Sequence, residues 1–224
     1  MTEELSIKQN KNQSTLIEIK HRDTGAVIFS SNKEGNTFAK ALRLALILGI
    51  DIRHADISNQ DLSHGYFAGA NFNYCDLRGA IMTGGNFFHA RFDRANLSKV
   101  TAHNANFMWA VMHNTCAQQA DFTGSKLNNA VSMEGDFSKS NFTNADLSGF
   151  ATRGANLKDI VTDGAILYET NTRIGYKWPR QKVPCVCDGP CQNCVGCESP
   201  KKQFALKHKS MSRLFTEYAM GEVG

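Results

Sequence analysis

Between Ile52 and Leu167 a large apolar residue recurs at every fifth position, on residue numbers ending in 2 or 7, through 24 positions without an insertion or deletion. Nineteen of the 24 are Ile, Leu, Met or Phe, and eight of the segment's ten phenylalanines keep this phase: Phe67, Phe72, Phe87, Phe92, Phe107, Phe122, Phe137 and Phe142. Strands repeat at about two residues and helices at about 3.6, so neither element explains a period of five. Two residues earlier, on numbers ending in 0 or 5, 19 of 24 positions are Ala, Gly, Ser, Thr or Cys. The position between the two is Asp or Asn in 13 of 24. Each unit therefore asks for two inward positions in five residues, and its Asx side chain is placed to bond neighbouring backbone and tighten a turn. The inward pair also exchanges volume: Val100 accompanies Ala102, Phe150 accompanies Thr152 and Ile160 accompanies Thr162. That is what a close-packed interior requires. Ala130 with Ser132 lacks this compensation and predicts a loose or hydrated spot.

These units, as in "AGANFNYCDLRGA" (68–80) and "NFTNADLSGF" (141–150), resemble the pentapeptide-repeat family, whose pattern is A(D/N)LXX, over roughly residues 50–169. The resemblance implies an all-β solenoid: a right-handed quadrilateral β-helix with one pentapeptide per side and four per coil. The 24 units then make about six coils. At an inter-strand spacing of about 4.8 Å the rod is roughly 29 Å long. The resemblance also implies a function for some members, which imitate duplex DNA and bind DNA gyrase or topoisomerase IV.

A solenoid needs its ends covered. Residues 1–50 supply a candidate N-terminal cap. "LIEIKHRDTGAVIF" (16–29) alternates as a hairpin turning at "DTG", and "NTFAKALRLALILG" (36–49) reads as a helix with Asn36 as N-cap candidate and a stop at Gly49. Residues 51–169 form the repeat and residues 170–224 a tail, in which Met211, Leu214, Phe215 and Tyr218 share one face of a possible terminal helix.

Charge separates these three parts. Lys and Arg against Asp and Glu number 7 and 5 in residues 1–50, 9 and 12 in 51–170, and 9 and 4 in 171–224. The tail holds five of the seven cysteines, Cys185, Cys187, Cys191, Cys194 and Cys197, with CxxC spacing at 191–194 and 194–197. Four thiolates on a structural zinc ion are the leading reading; disulfides and an iron–sulfur cluster are the alternatives. Such a closed site orders a chain and does not catalyse. Lys177, Arg180, Lys182, Lys201 and Lys202 flank the cysteines, an arrangement suited to nucleic acid, with a solvated basic tail as the favoured reading. Of the other cysteines, Cys75 has an inward phase and Cys116 an outward one.

Outward positions of the repeat should be polar, and the exceptions cluster. Phe88, Met108 and Trp109 lie on one side of successive coils, and Val111, Val131 and Met133 on the next side around the same corner. This patch predicts contact with a protein partner or a second copy, or coverage by the chain's own tail. His54, His64, His89, His103 and His113 also point outward without metal-ligand spacing and read as solvated surface. No nucleophile elbow, dinucleotide fingerprint, phosphate loop or HExxH motif occurs, so the expectation is a non-catalytic binding or scaffold protein rather than an enzyme. The start "MTEELSIKQNKNQ" lacks a secretory layout, and the apolar run 41–50 is too short to span a bilayer, which predicts a cytoplasmic protein without membrane contact.

Overall fold

In 21 of the 23 units from Ala55 to Ala165, Gly135 and Ile160 being the exceptions, the backbone N–H two residues before the next large position bonds to the carbonyl three residues back, as Ala55 to Ile52 at 3.0 Å and Ala95 to Phe92 at 2.9 Å. The third residue of this four-residue turn has positive φ in all 23 units from His54 to Gly164, with 16 non-glycine residues and 7 glycines. This is the dihedral requirement of a type II turn. None of the 23 is β-branched or proline, the residues least able to take that conformation. The computed structural model describes residues 15–168 and Thr170.

Stacking the turns produces four columns of parallel bridges, each joining a residue to the one twenty further on. Asp56↔Asp76, Asp61↔Ile81, Tyr66↔Asn86 and Asn71↔Arg91 begin the columns, and Asp146↔Ile166 is the last bridge. This is a β-helix with one pentapeptide per side. All 13 Asp and Asn residues of the middle position accept a hydrogen bond from the backbone N–H two residues on, as Asp121 does from Thr123 at 3.0 Å. The corners also interlock. The side-chain oxygens of Asn59, Asn104, Asn129 and Asn144 occupy the space where Gly79, Gly124, Gly149 and Gly164, one coil on, would carry a Cβ.

The large residues fill the axis. The eight phenylalanines of the repeat phase are at most 1% exposed. Along the axis Phe67, Phe87 and Phe107 stack at 5.3 and 5.1 Å, while Phe72 stacks on Phe92 and Phe122 on Phe142 at 5.1 Å. Ser132 is fully buried, but its hydroxyl donates to the Met112 carbonyl at 2.8 Å, so the expected hydrated spot has an internal partner. Thr152 is the buried side chain whose hydroxyl finds none among the described residues. An unmade buried hydrogen bond costs about 1–3 kcal/mol. The near-isosteric Thr152→Val change is therefore expected to stabilise the protein by about 1 kcal/mol, read as a higher urea midpoint.

Ahead of the repeat, β1 (Ile17–His21) and β2 (Val27–Ser31) form an antiparallel hairpin with a register irregularity between Ile19 and Lys20. Gly25, at φ +69, closes its turn by donating to the His21 carbonyl at 2.9 Å. The hairpin pairs with β3 (Ala55–Asp56), His21 lying opposite Ala55. Helix α1 (Phe38–Ile47) follows, and Ile19, Leu42 and Ala45 join the same apolar cluster as Ile52, Ala55 and Ile57. Its N-cap is Thr37, whose hydroxyl accepts from Lys40 N at 3.3 Å, and not Asn36. The Asn36 amide is instead committed to the Ser31 carbonyl at 3.1 Å, which anchors the end of β2. Among the described residues no helix is long and apolar enough to cross a membrane.

The Asx ladder carries a pH consequence. Burial by itself raises the carboxyl pKa of Asp76, Asp121, Asp136 and Asp146, but donors outweigh it and each ends below the ordinary value. Those donors are Arg78 for Asp76, Thr123 and His103 for Asp121, Gln118 and Ser138 for Asp136, and Ser148 and Asn128 for Asp146. A depressed folded-state pKa contributes stability that is complete above the unfolded carboxyl value and lost as pH falls through the folded one. The urea midpoint is therefore expected to stay level from neutral pH down to about 5 and to fall progressively below about 4.

Candidate functional site

The apolar outward residues come together through the bridge register. Asn86↔Asn106 places Phe88 beneath Met108, and Val111↔Val131 is itself a bridge. Trp109 forms the corner between these two sides at φ 61 and is 39% exposed, while Met133 is 46% exposed. Phe88, Met108, Val111 and Val131 are half-buried.

On the second of these sides the Asx position is occupied by Arg91, Val111, Val131 and Ala151 after Asn71. Losing the Asx carboxyl or amide removes the acceptor for the backbone N–H two residues on. Three of those N–H groups are taken over by the preceding coil: Asn73 Oδ1 accepts from Asp93 N at 2.9 Å, Asp93 Oδ1 from His113 N at 3.2 Å, and His113 Nδ1 from Met133 N at 3.0 Å. Residues 73, 93 and 113 thus relay hydrogen bonds up the side, and the valines stand on its surface without leaving that backbone unpaired.

Of the five histidines, His64 and His89 are exposed as expected, while His54, His103 and His113 are half-buried against neighbouring coils. His54 stacks on Tyr74 at 4.7 Å, the His64 ring lies over Gly84, and His89 meets Phe88 edge-on at 5.6 Å. His103 Nε2 is 2.8 Å from Asp121 Oδ2, and His113 belongs to the relay. Cys75 packs inward; its thiol donates to the Ile52 carbonyl at 3.1 Å, and burial pushes its pKa up to about 12. So placed it is inert. Cys116 stands outside with its Sγ 3.1 Å from Ser98 Oγ. An open groove of about 370 Å³ borders Leu16, Glu18, Lys20, Phe38, Asp56, Ser58 and Gln60, and two of its charges, Lys20 and Glu18, pair with each other at 3.0 Å. Cys185, Cys187, Cys191, Cys194 and Cys197, the basic residues Lys177, Arg180, Lys182, Lys201 and Lys202, and the possible terminal helix lie outside the described residues.

Comparison with known proteins follows the repeat. No curated protein sequence matches the chain. Among solved structures it is similar to Rfr23, a pentapeptide repeat protein from the cyanobacterium Cyanothece 51142, at 23% identity over 41% of this chain and 58% of that one, with a TM-score of 0.26. The match thus spans less than two thirds of Rfr23. HetL, a pentapeptide repeat protein involved in heterocyst differentiation regulation from Nostoc sp. Strain PCC 7120, aligns at 15% identity over 57% of this chain and 93% of its own, with a TM-score of 0.24. A pentapeptide repeat protein from the Arabidopsis thaliana thylakoid lumen aligns at 25% identity over 53% and 68%, with a TM-score of 0.26. A family model described as Pentapeptide repeats matches residues 50–87 and 90–129 in 8 copies, and this segment of the chain is a run of pentapeptide repeats.

Proposed function

We propose that the protein is a non-catalytic binding scaffold whose contact surface is the corner carrying Phe88, Met108, Trp109, Val111, Val131 and Met133. The observation behind this reading is the relay of Asn73, Asp93 and His113, which keeps the backbone beneath the valines paired while their apolar side chains stand outward. Contiguous apolar surface of this kind marks protein interfaces. Both a second copy and a different protein fit its chemistry. The test is light scattering on a sizing column together with photo-cross-linking in cells, comparing the full chain with the Val131→Glu, Met133→Glu double variant. The reading requires a homodimer or a cross-linked partner that the double variant loses at unchanged far-UV circular dichroism. An identical mass and an identical cross-link pattern for both chains would sink it.

This proposal takes the rod as right-handed, of about six coils, capped by the hairpin and α1, and working in the cytoplasm. Modulation of DNA gyrase or topoisomerase IV by DNA mimicry is the sharper alternative, and charge weighs against it. Nine Lys and Arg oppose twelve Asp and Glu across residues 51–170, far short of the charge density of duplex DNA. Unchanged gyrase supercoiling at micromolar excess of the protein removes that alternative. For the tail, the proposal assigns structural zinc to the cysteine cluster and salt-sensitive nucleic-acid contact to the surrounding lysines and arginines. Nucleic-acid binding that survives deletion of residues 177–224, or its absence at low salt, overturns the second assignment.

A further inference from the structure

Where the hairpin meets the first coil, His21, Asp23 and His54 bring one ligand atom each to within 4.8 Å of one another. They are 33 residues apart at the extremes and meet because β1 pairs with β3, which sets His21 opposite Ala55. The backbone on both sides is held: Arg22 N donates to the His54 carbonyl at 2.7 Å, and Arg22 Nη1 to the Tyr74 carbonyl at 2.8 Å. The His54 ring is fixed by stacking on Tyr74, with planes 2° apart, and Arg94 lies over the Tyr74 ring at 5.9 Å. The His21 ring lies parallel to His54, with centroids 5.4 Å apart. Asp23 turns its two oxygens in different directions. Oδ1 is 3.5 Å from Arg22 Nε, and Oδ2 faces His54 Nδ1 at 4.0 Å.

We infer that His21, Asp23 and His54 form a binding site for a divalent transition-metal ion of the zinc(II) type, which fastens the hairpin to the first coil. Two imidazoles and one carboxylate are borderline-soft donors that suit zinc and its neighbours over magnesium or calcium. Ligand bonds of about 2.0–2.1 Å require the three atoms to close by roughly 1 Å, a movement that falls to the exposed Asp23 and to His21 while His54 keeps its stack on Tyr74. Arg22 engages Oδ1, and Oδ2, turned toward His54, is the oxygen left for the ion. His21 Nδ1 accepts from the exposed Asp23 N–H at 3.2 Å, and coordination through that nitrogen exchanges this bond for the metal bond. Three protein ligands leave a fourth position for water. The site is separate from the tail cysteines and independent of the function proposed for the apolar corner.

Native mass spectrometry of the full chain at fixed free zinc tests this assignment, using a background in which Cys185, Cys187, Cys191, Cys194 and Cys197 are serine. That background is expected to retain one zinc per chain, and addition of Asp23→Asn or His54→Ala to reduce zinc affinity at least tenfold. Asp23 sits on an exposed turn, so its substitution leaves the stack on Tyr74 in place and separates metal loss from misfolding. Zinc is also expected to raise the melting temperature of the background and not of Asp23→Asn. A background chain that holds no zinc overturns the inference, as does one whose zinc both variants keep.

Discussion

Replacing Phe107 with alanine is expected to cost about 3–5 kcal/mol, the range for removing a fully buried aromatic ring from a core that cannot collapse around the void. Phe107 is 0% exposed; its ring stacks on Phe87 at 5.1 Å, meets Phe122 edge-on at 5.6 Å and tilts against Phe92 at 5.9 Å. The loss therefore falls on the contacts with both adjoining coils. In a solenoid each repeat is stabilised only by its neighbours, so a defect at mid-length weakens the coupling between the two halves as well as the local packing. A domain of this size is stable by about 5–15 kcal/mol, so the variant is left with a fraction of that and a much lower urea midpoint. Uncoupling of the halves will appear as a shallower transition. Phe88→Ala is the control, because Phe88 is the same residue type on the outer surface and only half-buried. Its expected cost is about 1 kcal/mol, set by the smaller area removed from water. Equal costs for the two variants would refute the inward and outward assignment on which the fold rests.

The β-helix was legible because its inward positions recur at a fixed spacing that no other backbone satisfies, and because the Asx residue between them announces a turn. The left-handed corners were equally present in the sequence as a run of 23 positions free of Val, Ile, Thr and Pro. That signal is an avoidance, which hydrophobic periodicity does not register. Thr37 and Asn36 are both good N-cap residues. The choice between them followed from the bond that Asn36 makes to Ser31, a contact with the hairpin that local sequence does not contain. The apolar corner could be assembled on paper once four units per coil were assumed. The relay that pairs the backbone beneath it could not, since it depends on whether the side chains at 73, 93 and 113 reach forward to the next coil or stay within their own unit. The grouping of His21 and Asp23 with His54 escaped for a related reason: it follows from the pairing of β1 with β3 and not from any spacing along the chain.

Volume exchange inside the rod leads to the second large effect. Gly65, Gly85 and Gly135 occupy small inward positions; at Gly65 and Gly85 the ring of the phenylalanine two residues on stands where a Cβ would be, and at Gly135 the Ser132 hydroxyl does, with the Phe137 ring close behind. A Cβ at Gly85 would lie 2.6 Å from Phe87 Cε2 and 3.0 Å from the Met82 carbonyl. Gly85→Val therefore drives the Phe87 ring against Phe67 and Phe107, which stack on it at 5.3 and 5.1 Å, and is expected to cost about 1–3 kcal/mol or slightly more. Phe87→Ala alone is expected to cost about 3–5 kcal/mol through the void it leaves. Combining them reproduces an arrangement already found three units later, where Val100 and Ala102 are both buried. The valine then occupies part of the volume the ring vacated. The double variant is expected to be more stable than the sum of the singles predicts by at least about 1 kcal/mol, the coupling typical of residues that share one space. Additivity to within about 0.5 kcal/mol would mean that the two inward positions are filled independently, and the pairing of Val100 with Ala102, Phe150 with Thr152 and Ile160 with Thr162 would then need a different cause.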